Sequence, residues 1–219
     1  MTPFKFYFYF GISVELFIFF PILFAVCKWR HISLGIKFVV FFLVSELLIN
    51  IVSYYFYFIG SYNLFLNYFY SFFQLVFMFL AFYQLLTKHF VRIIVYLSFI
   101  ICLVSLIIDY SNILKVSYNS FSGILISVII TIFSGYYFAT NILQVESNKT
   151  PIFTETNIRI SLIMTLQFFI KSLNIFLEKI YFDTQNNPFL LIQMRNIYYY
   201  FMLVCLILYC TSFRNIKSI

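Results

Sequence analysis

The sequence predicts an all-α bundle of about seven helices that span a membrane. Hydrophobic residues make up 63% of the 219-residue chain and charged residues 10%, whereas soluble domains are roughly half apolar and about a quarter charged. The apolar residues come in blocks of about 20, the length that a helix needs to cross a hydrocarbon core about 30 Å thick. These blocks do not alternate between apolar and polar residues, so they favour helices over a lipid-facing barrel. We expect residues 1–219 to form a single transmembrane domain.

The predicted spans follow one another along the chain, and each ends at polar or charged residues. They cover residues 6–27, 38–58, 64–86, 93–108, 121–143, 161–181 and 197–213. The first three are followed by the stretches KWRH, GSYN and TKHFVR. The next three are followed by DYSNILKVSYNS, QVESNKTPIFTETNIR and DTQNNP. The fourth span is short and the sixth contains a charge, so a chain with six spans is the alternative.

Basic residues indicate how the bundle is oriented, because Lys and Arg accumulate in the cytoplasmic connections of membrane proteins. Nine lie in the first, third and fifth connections and the C-terminal tail: Lys28, Arg30, Lys37, Lys88, Arg92, Lys149, Arg159, Arg214 and Lys217. Four lie on the opposite side: Lys5, Lys115, Lys179 and Arg195. The N-terminus is therefore predicted outside and the C-terminus in the cytoplasm. This asymmetry, with attraction to anionic lipid, accounts for the net charge of +7 without a nucleic-acid partner.

Several kinds of site lack the residues that they need. The longest predicted connection, residues 144–160, leaves little room for a soluble catalytic domain, and no Gly-rich phosphate loop or GxSxG motif occurs. The two histidines, His31 and His89, fall at predicted helix ends. The four cysteines have no CxxC spacing: Cys27, Cys102, Cys205 and Cys210. We expect no metal and no cofactor, and we expect any activity to reside in the helices.

Lys171 lies near the centre of the sixth predicted span, where an unpaired charge costs several kcal/mol or more. Polar residues on its helix recur at i, i+4, i+7 and i+11: Gln167, Lys171, Asn174 and Glu178. This spacing places them on one helical face, which we expect to point at protein or water. The lysine needs an opposing charge at its own depth.

Other spans carry polar residues at a similar level. The first span contributes Glu15, and the second contributes Glu46, with Asn50 and Ser53 along the same face. The third carries Asn67, Tyr70, Ser71 and Gln74, and the fifth a weaker row of Ser127, Thr131 and Ser134. The row on the fifth span is typical of interhelical hydrogen bonds. The candidate site residues are Glu15, Glu46, Asn50, Asn67, Gln74, Gln167, Lys171, Asn174 and Glu178.

We expect Lys171 to lie within ion-pair or water-bridged reach of Glu46 or Glu15, the acids predicted at its depth. Glu178 is the weaker partner, because it lies about 10 Å further along the same helix. A purely structural ion pair that locks the bundle is the alternative to a functional site.

The start of the third span, NLFLNYFYSFFQLVF, resembles a pattern in small bacterial seven-helix membrane proteins. In that pattern an Asn among aromatic residues precedes a polar residue deeper in the helix. An acid often occupies the position of Gln74 in that family, so a proton-handling role does not carry over to Gln74. The resemblance covers one helix and the hydropathy profile, and it implies a seven-helix fold but no particular activity.

Three function classes fit these observations. The first is a small-solute or proton-linked transporter or channel that uses the polar groups at mid-membrane. The second is a sensor or accessory subunit that acts through a partner protein. The third is a lipid-modifying enzyme with Glu15 and Glu46 as acid and base, and a defence-associated membrane effector is a further possibility. The halves of the chain share only a loose polar pattern, which weakens a transporter built from repeats.

A retinal-type photoreceptor would use a buried lysine and a nearby acid, for which Lys171 and Glu46 are available. However, Lys171 falls on the sixth predicted helix, where such receptors use the seventh. Frequent Phe, Ile, Tyr, Asn and Lys indicate an AT-rich, bacterial genome. We therefore expect a multi-pass protein of a bacterial inner membrane, with membrane lipids and a protein partner or second copy as its contacts.

The charge asymmetry yields a testable topology. Reporter fusions that are active only in the cytoplasm should be silent at the N-terminus and active at the C-terminus. The reason is that nine of the thirteen basic residues counted lie on the same side of the membrane as the C-terminus. A fusion after residue 113, on the predicted outer side, provides the matched internal control and should be silent. Equal signals at the two termini would contradict an odd number of spans.

Overall fold

The computed structural model describes residues 3–60, 64–113, 121–145, 153–184 and 188–216, and no strand occurs among them. The helices are α1 (Pro3–Leu16), α2 (Phe19–Cys27), α3 (Leu34–Phe58), α4 (Leu64–Leu85), α5 (His89–Ile113), α6 (Phe121–Val145), α7 (Phe153–Thr184) and α8 (Pro188–Arg214). They provide seven segments that are long and apolar enough to cross a membrane, with α1 and α2 together forming the first. The predicted all-α, seven-span architecture is confirmed. Of the basic residues used above for orientation, Lys115, Lys149 and Lys217 lie outside the described residues.

The fourth span is longer than the sequence predicts and runs from His89 to Tyr110. Its polar ends are accommodated by hydrogen bonds to neighbouring backbone. Arg92 Nε donates to the Leu86 carbonyl at 2.8 Å. At the other end the Ser122 amide, at the start of α6, donates to Asp109 Oδ2 at 2.7 Å. Because a helix N-terminus has unpaired amides, Asp109 both satisfies α6 and allows α5 to continue through a charged residue.

Pro21 explains why the first span is divided between α1 and α2. A proline lacks the amide hydrogen that would bond to the carbonyl four residues earlier, and its ring clashes with that carbonyl. The carbonyl concerned belongs to Phe17, at the break between the two helices. It accepts a hydrogen bond from the Phe20 amide at 3.1 Å instead, so the chain tightens locally before α2 begins. The break lies just beyond Glu15.

Six of the spans form a closed ring, and α5 packs outside it. Around the ring, the α1–α2 span is followed by α3, α4, α6, α7 and α8, and α8 returns to α1 and α2. The fifth helix contacts α4 and α6 and has the smallest buried share of the seven spans. Large apolar side chains such as Leu48, Tyr96 and Ile132 are exposed on the outer surface. Such a surface suits lipid, which removes the cost of contact between apolar side chains and water.

The interior of the ring divides into two halves with different chemistry. The half at the start of α8 and the end of α7, here called the charged half, contains Glu15, Glu46, Lys171, Glu178 and Arg195. The opposite half, here called the apolar half, contains buried residues from every helix of the ring, including Ala25, Val40, Phe82, Ile130, Met164 and Phe213. The charged side chains described at that end, such as Lys37 and Arg214, are half-buried or exposed. Among the described residues of the ring, the buried acids Glu46 and Glu178 both lie in the charged half.

Close packing of α3 on α4 gives a prediction for Gly35. A Cβ atom at this position would lie 2.5 Å from Leu85 Cγ and 3.1 Å from the backbone oxygen of Ala81. We expect Gly35→Ala to lower the free energy of unfolding by about 1–3 kcal/mol, the usual cost of overpacking. Gly123→Ala is the matched control near the start of α6, since its nearest atom would be Ile175 Cδ1 at 3.8 Å. Thermal unfolding in detergent measures both, and equal stability of the two variants would contradict the close approach.

Candidate functional site

Lys171 is held inside the charged half by one hydrogen bond and one aromatic ring. Its Nζ donates to Gln74 Oε1 at 2.6 Å. The same nitrogen lies 3.7 Å from the centroid of the Tyr70 ring, a distance typical of a cation–π interaction. Gln74 and Tyr70 are four residues apart on α4 and so share a helical face. The amide and the ring together provide the polar environment that the ammonium needs within the membrane-spanning region.

Gln74 links the lysine to a third helix. While its Oε1 accepts from Lys171, its Nε2 donates to Ser127 Oγ on α6 at 3.3 Å. Further along α6, Ser134 Oγ accepts from Thr165 Oγ1 of α7 at 3.0 Å. These hydroxyl contacts join α4, α6 and α7, as expected of polar residues that mediate helix packing.

Glu46 on α3 approaches Tyr70 from the other side of the site, and only 4% of its surface is exposed. Its Oε1 accepts from the Tyr70 hydroxyl at 2.9 Å. Its Oε2 is buried and has no hydrogen-bond partner among the described residues. Buried carboxylate oxygens without a donor are uncommon, because removing them from water costs several kcal/mol.

Lys171 forms no direct ion pair with Glu46 or Glu15 among the described residues, and a water-bridged contact with either acid stays a prediction. Tyr70 lies between Lys171 and Glu46, with its ring against the ammonium and its hydroxyl on the carboxylate. The ring and the Gln74 amide thus contact the ammonium without a carboxylate in direct contact.

Glu15 has different partners. It accepts hydrogen bonds from the hydroxyls of Tyr54 on α3 and Tyr199 on α8, the second at 3.2 Å. These bonds tie the first span to both of its neighbours in the ring. Both carboxylate oxygens of this half-buried acid thus accept hydrogen bonds from tyrosines.

Glu178 lies closer to the end of the bundle, where it pairs with Arg195. Arg195 Nε donates to Glu178 Oε1 at 2.9 Å, and the Asn174 amide donates to the same oxygen at 3.2 Å. The Arg195 side chain is 49% exposed, so this pair lies at the surface end of the charged half, here called its mouth. The α7 stripe thus runs from the mouth through Asn174 to Lys171.

Three predicted site residues lie away from this centre. Gln167 is buried and accepts from the Tyr209 hydroxyl at 3.0 Å, so it links α7 to α8. Asn50 is half-buried one turn beyond Glu46 on α3. Asn67 is exposed, which corrects the expectation that it faces the interior with Gln74. It lies in the first turn of α4, near the membrane surface, where a polar side chain needs no partner inside the bundle.

Sequence reasoning placed Tyr70 among the polar residues of the third span but left it, the other tyrosines and Arg195 out of the candidate site. The described tyrosine hydroxyls that bond to site residues come from Tyr54, Tyr70, Tyr199 and Tyr209. With 19 tyrosines in the chain, composition alone does not separate these four from interfacial ones. A usable signal was present at Tyr70, which shares a helical face with Gln74 at a spacing of four residues.

No group of three or more potential metal-ligating His, Cys, Asp or Glu side chains occurs in the described part of the chain. Comparison of the chain with protein-family models, with curated proteins and with solved structures finds no match. The resemblance of the third span to small bacterial seven-helix proteins therefore rests on its residues alone. The functional argument depends on the geometry of the charged half.

The contact between Lys171 and Gln74 predicts strong energetic coupling. Gln74→Leu leaves the ammonium without its amide acceptor and should lower stability by about 1–3 kcal/mol. Adding Lys171→Met should recover much of this loss, because replacing both buried partners with apolar groups is often tolerated. Thermal unfolding of the two single variants and the double variant measures the coupling.

Gln74→Leu combined with Tyr209→Phe is the matched control. Tyr209 bonds to Gln167 and not to Gln74, so these two losses should add within about 0.5 kcal/mol. If the stability losses of Gln74→Leu and Lys171→Met are also additive, the contact between Lys171 and Gln74 is contradicted.

Proposed function

We propose that this protein is a transporter for a small solute, and that the charged half of the bundle contains its binding site. The observation that carries the proposal is that the buried acids described in the closed ring, Glu46 and Glu178, lie in one half together with Lys171. Charged groups inside a membrane are expensive, and they commonly line pathways, relays or binding sites. Secondary transporters bind their substrates near mid-membrane and expose the site to one side at a time. A polar half above an apolar half fits a site that is open on one side and closed on the other.

The α7 stripe supplies the route into this site. Arg195 and Glu178 stand at the mouth, Asn174 follows one turn further in, and Lys171 lies at the inner end. From Glu178 to Lys171 the helix rises about 10 Å, which is about a third of the hydrocarbon thickness. A solute entering here would exchange water for charged and hydroxyl groups before it meets the apolar half.

The apolar half would then act as the barrier. Tightly packed residues such as Phe82, Ile130 and Met164 block passage in this conformation. Release on the opposite side requires these residues to separate, as in alternating access. The break between α1 and α2, next to Glu15, is a site where the first span could bend during that motion.

A sensor or accessory subunit is the second candidate, and the same one-sidedness favours it. A ligand site that is open to one face only can serve signalling through a partner protein without any passage of solute. Catalysis on lipid by Glu15 and Glu46 fits less well, because both oxygens of Glu15 are engaged by tyrosine hydroxyls. For either candidate we propose a bacterial inner membrane, with lipids around the bundle and a protein partner or second copy as the possible contacts.

Transport is tested by reconstitution into proteoliposomes. A pool of small metabolites is added outside under an imposed pH gradient, and mass spectrometry identifies those that accumulate in the lumen. At least one solute should accumulate with the wild type. Its uptake should fall at least about tenfold in Glu46→Gln and in Lys171→Met, since a lost charge-assisted contact is worth about 1.5–3 kcal/mol.

Asp109→Asn is the matched control for this experiment. Asp109 is also a buried acid, but it caps α6 outside the site and should leave uptake unchanged. Absence of uptake by well-folded wild type would reject transport and leave the sensor class. Full uptake by both site variants would show that the charged half is not the solute site.

A further inference from the structure

The carboxylate of Glu46 has an unused oxygen in the middle of the charged half. The Tyr70 hydroxyl donates a hydrogen bond to Oε1. Oε2 has no donor among the described residues, although Glu46 is only 4% exposed. The other two glutamates of this half each accept two hydrogen bonds. Glu15 accepts from two tyrosine hydroxyls, and Glu178 accepts from Arg195 and Asn174. Among the described carboxylate oxygens, Glu46 Oε2 is therefore the fully buried one that lacks a donor.

Among the side chains that the structure describes in this half, acids outnumber basic residues. The acids are Glu15, Glu46 and Glu178, and the basic residues are Lys171 and Arg195. Arg195 is committed to Glu178 by a direct ion pair. Lys171 is held by Gln74 and the Tyr70 ring rather than by Glu46. A ligand group with one positive charge next to Glu46 would bring these charges into balance.

The neighbouring side chains favour an ammonium over a metal ion. No group of three potential metal-ligating acids, cysteines or histidines is present in the described residues, whereas aromatic rings line this region. The centroid of the Phe42 ring lies 6.0 Å from that of Tyr70 and 5.6 Å from that of Phe168. Lys171 demonstrates that this aromatic surface accommodates an ammonium, since its Nζ lies 3.7 Å from the Tyr70 centroid. Rings combined with a single carboxylate are typical of sites for organic cations.

We infer that Glu46 Oε2 receives an N–H of a primary or secondary ammonium group carried by the solute. This inference rests on the proposed function in one respect only, that the bound solute is the transported one. The ammonium would donate to Oε2 and lie against the aromatic surface, while Tyr70 continues to donate to Oε1. A quaternary ammonium has the charge but no N–H, so it would leave Oε2 without its donor.

The test uses ethylammonium chloride as the probe, with tetramethylammonium chloride and sodium chloride at equal ionic strength. Thermal unfolding of the purified full-length protein is followed across a concentration series of each salt. Ethylammonium should stabilise the wild type, because a ligand that binds only the folded state raises its stability. The concentration needed should rise about tenfold or more for tetramethylammonium, and likewise for ethylammonium with Glu46→Gln. Asp109→Asn should respond as the wild type does.

A second measurement needs no substitution. Dicyclohexylcarbodiimide reacts with carboxyl groups in apolar surroundings, and peptide mass spectrometry reports its attachment to Glu46 and to Asp109. Ethylammonium should slow labelling of Glu46 at least about tenfold at saturation and leave labelling of Asp109 unchanged. Equal responses to ethylammonium and sodium, or equal binding of ethylammonium by wild type and Glu46→Gln, would overturn the inference.

The two proposals fail in different ways. Ethylammonium protection of Glu46 without accumulation of any solute would support the ammonium site and reject transport. Accumulation of a solute without protection by ethylammonium would support transport and reject the ammonium site.

Discussion

The cost of holding an ammonium inside a membrane governs the arrangement of this bundle. Lys171 cannot reach the membrane surface as a lysine near a helix end can, so its charge must be satisfied within the protein. The structure meets this need with the carbonyl of Gln74 and the face of Tyr70. Gln74 is in turn fixed by Ser127, and Tyr70 by Glu46. One buried charge thereby sets the relative positions of α3, α4, α6 and α7.

The division into two halves follows from the same cost. Other polar groups and the nearby membrane surface lower the free-energy cost of burying a charge. Clustered polar groups can also share hydrogen-bond partners. The apolar half has no such requirement and packs by shape, with residues such as Met78, Phe82 and Phe213 fully buried. Concentrating the charges leaves one half well suited to binding and the other to sealing. Structural and functional needs are thus separated along the membrane normal.

The fold could be predicted because each span is a property of its own stretch of sequence. Length and apolarity identify a membrane helix, and the i, i+4, i+7 and i+11 stripe of α7 identified the inward face that contains Lys171 and Glu178. Side-chain contacts between helices could not be predicted in this way. They depend on which helices are neighbours and on how each helix is rotated about its axis, and no single span encodes either. Charge alone favoured Glu46 or Glu15 as the partner of Lys171, whereas the contact is made by Gln74, a neutral residue at the same depth. Asn67 shares a face with Gln74 yet is exposed, because its position at the end of α4 decides its surroundings.

Tyrosine explains how a site this acidic can be packed among apolar helices. A hydroxyl can donate to a carboxylate without adding a charge of its own, and its ring contributes apolar contact area to the same place. Tyr54 and Tyr199 do this for Glu15, and Tyr70 does it for Glu46. Had lysine or arginine filled these positions, each glutamate would be neutralised internally and the site would have no demand for an external cation. Neutral donors satisfy hydrogen bonding but leave the negative charge in place, so the choice of tyrosine over a basic residue is what keeps Glu46 available to a positively charged ligand.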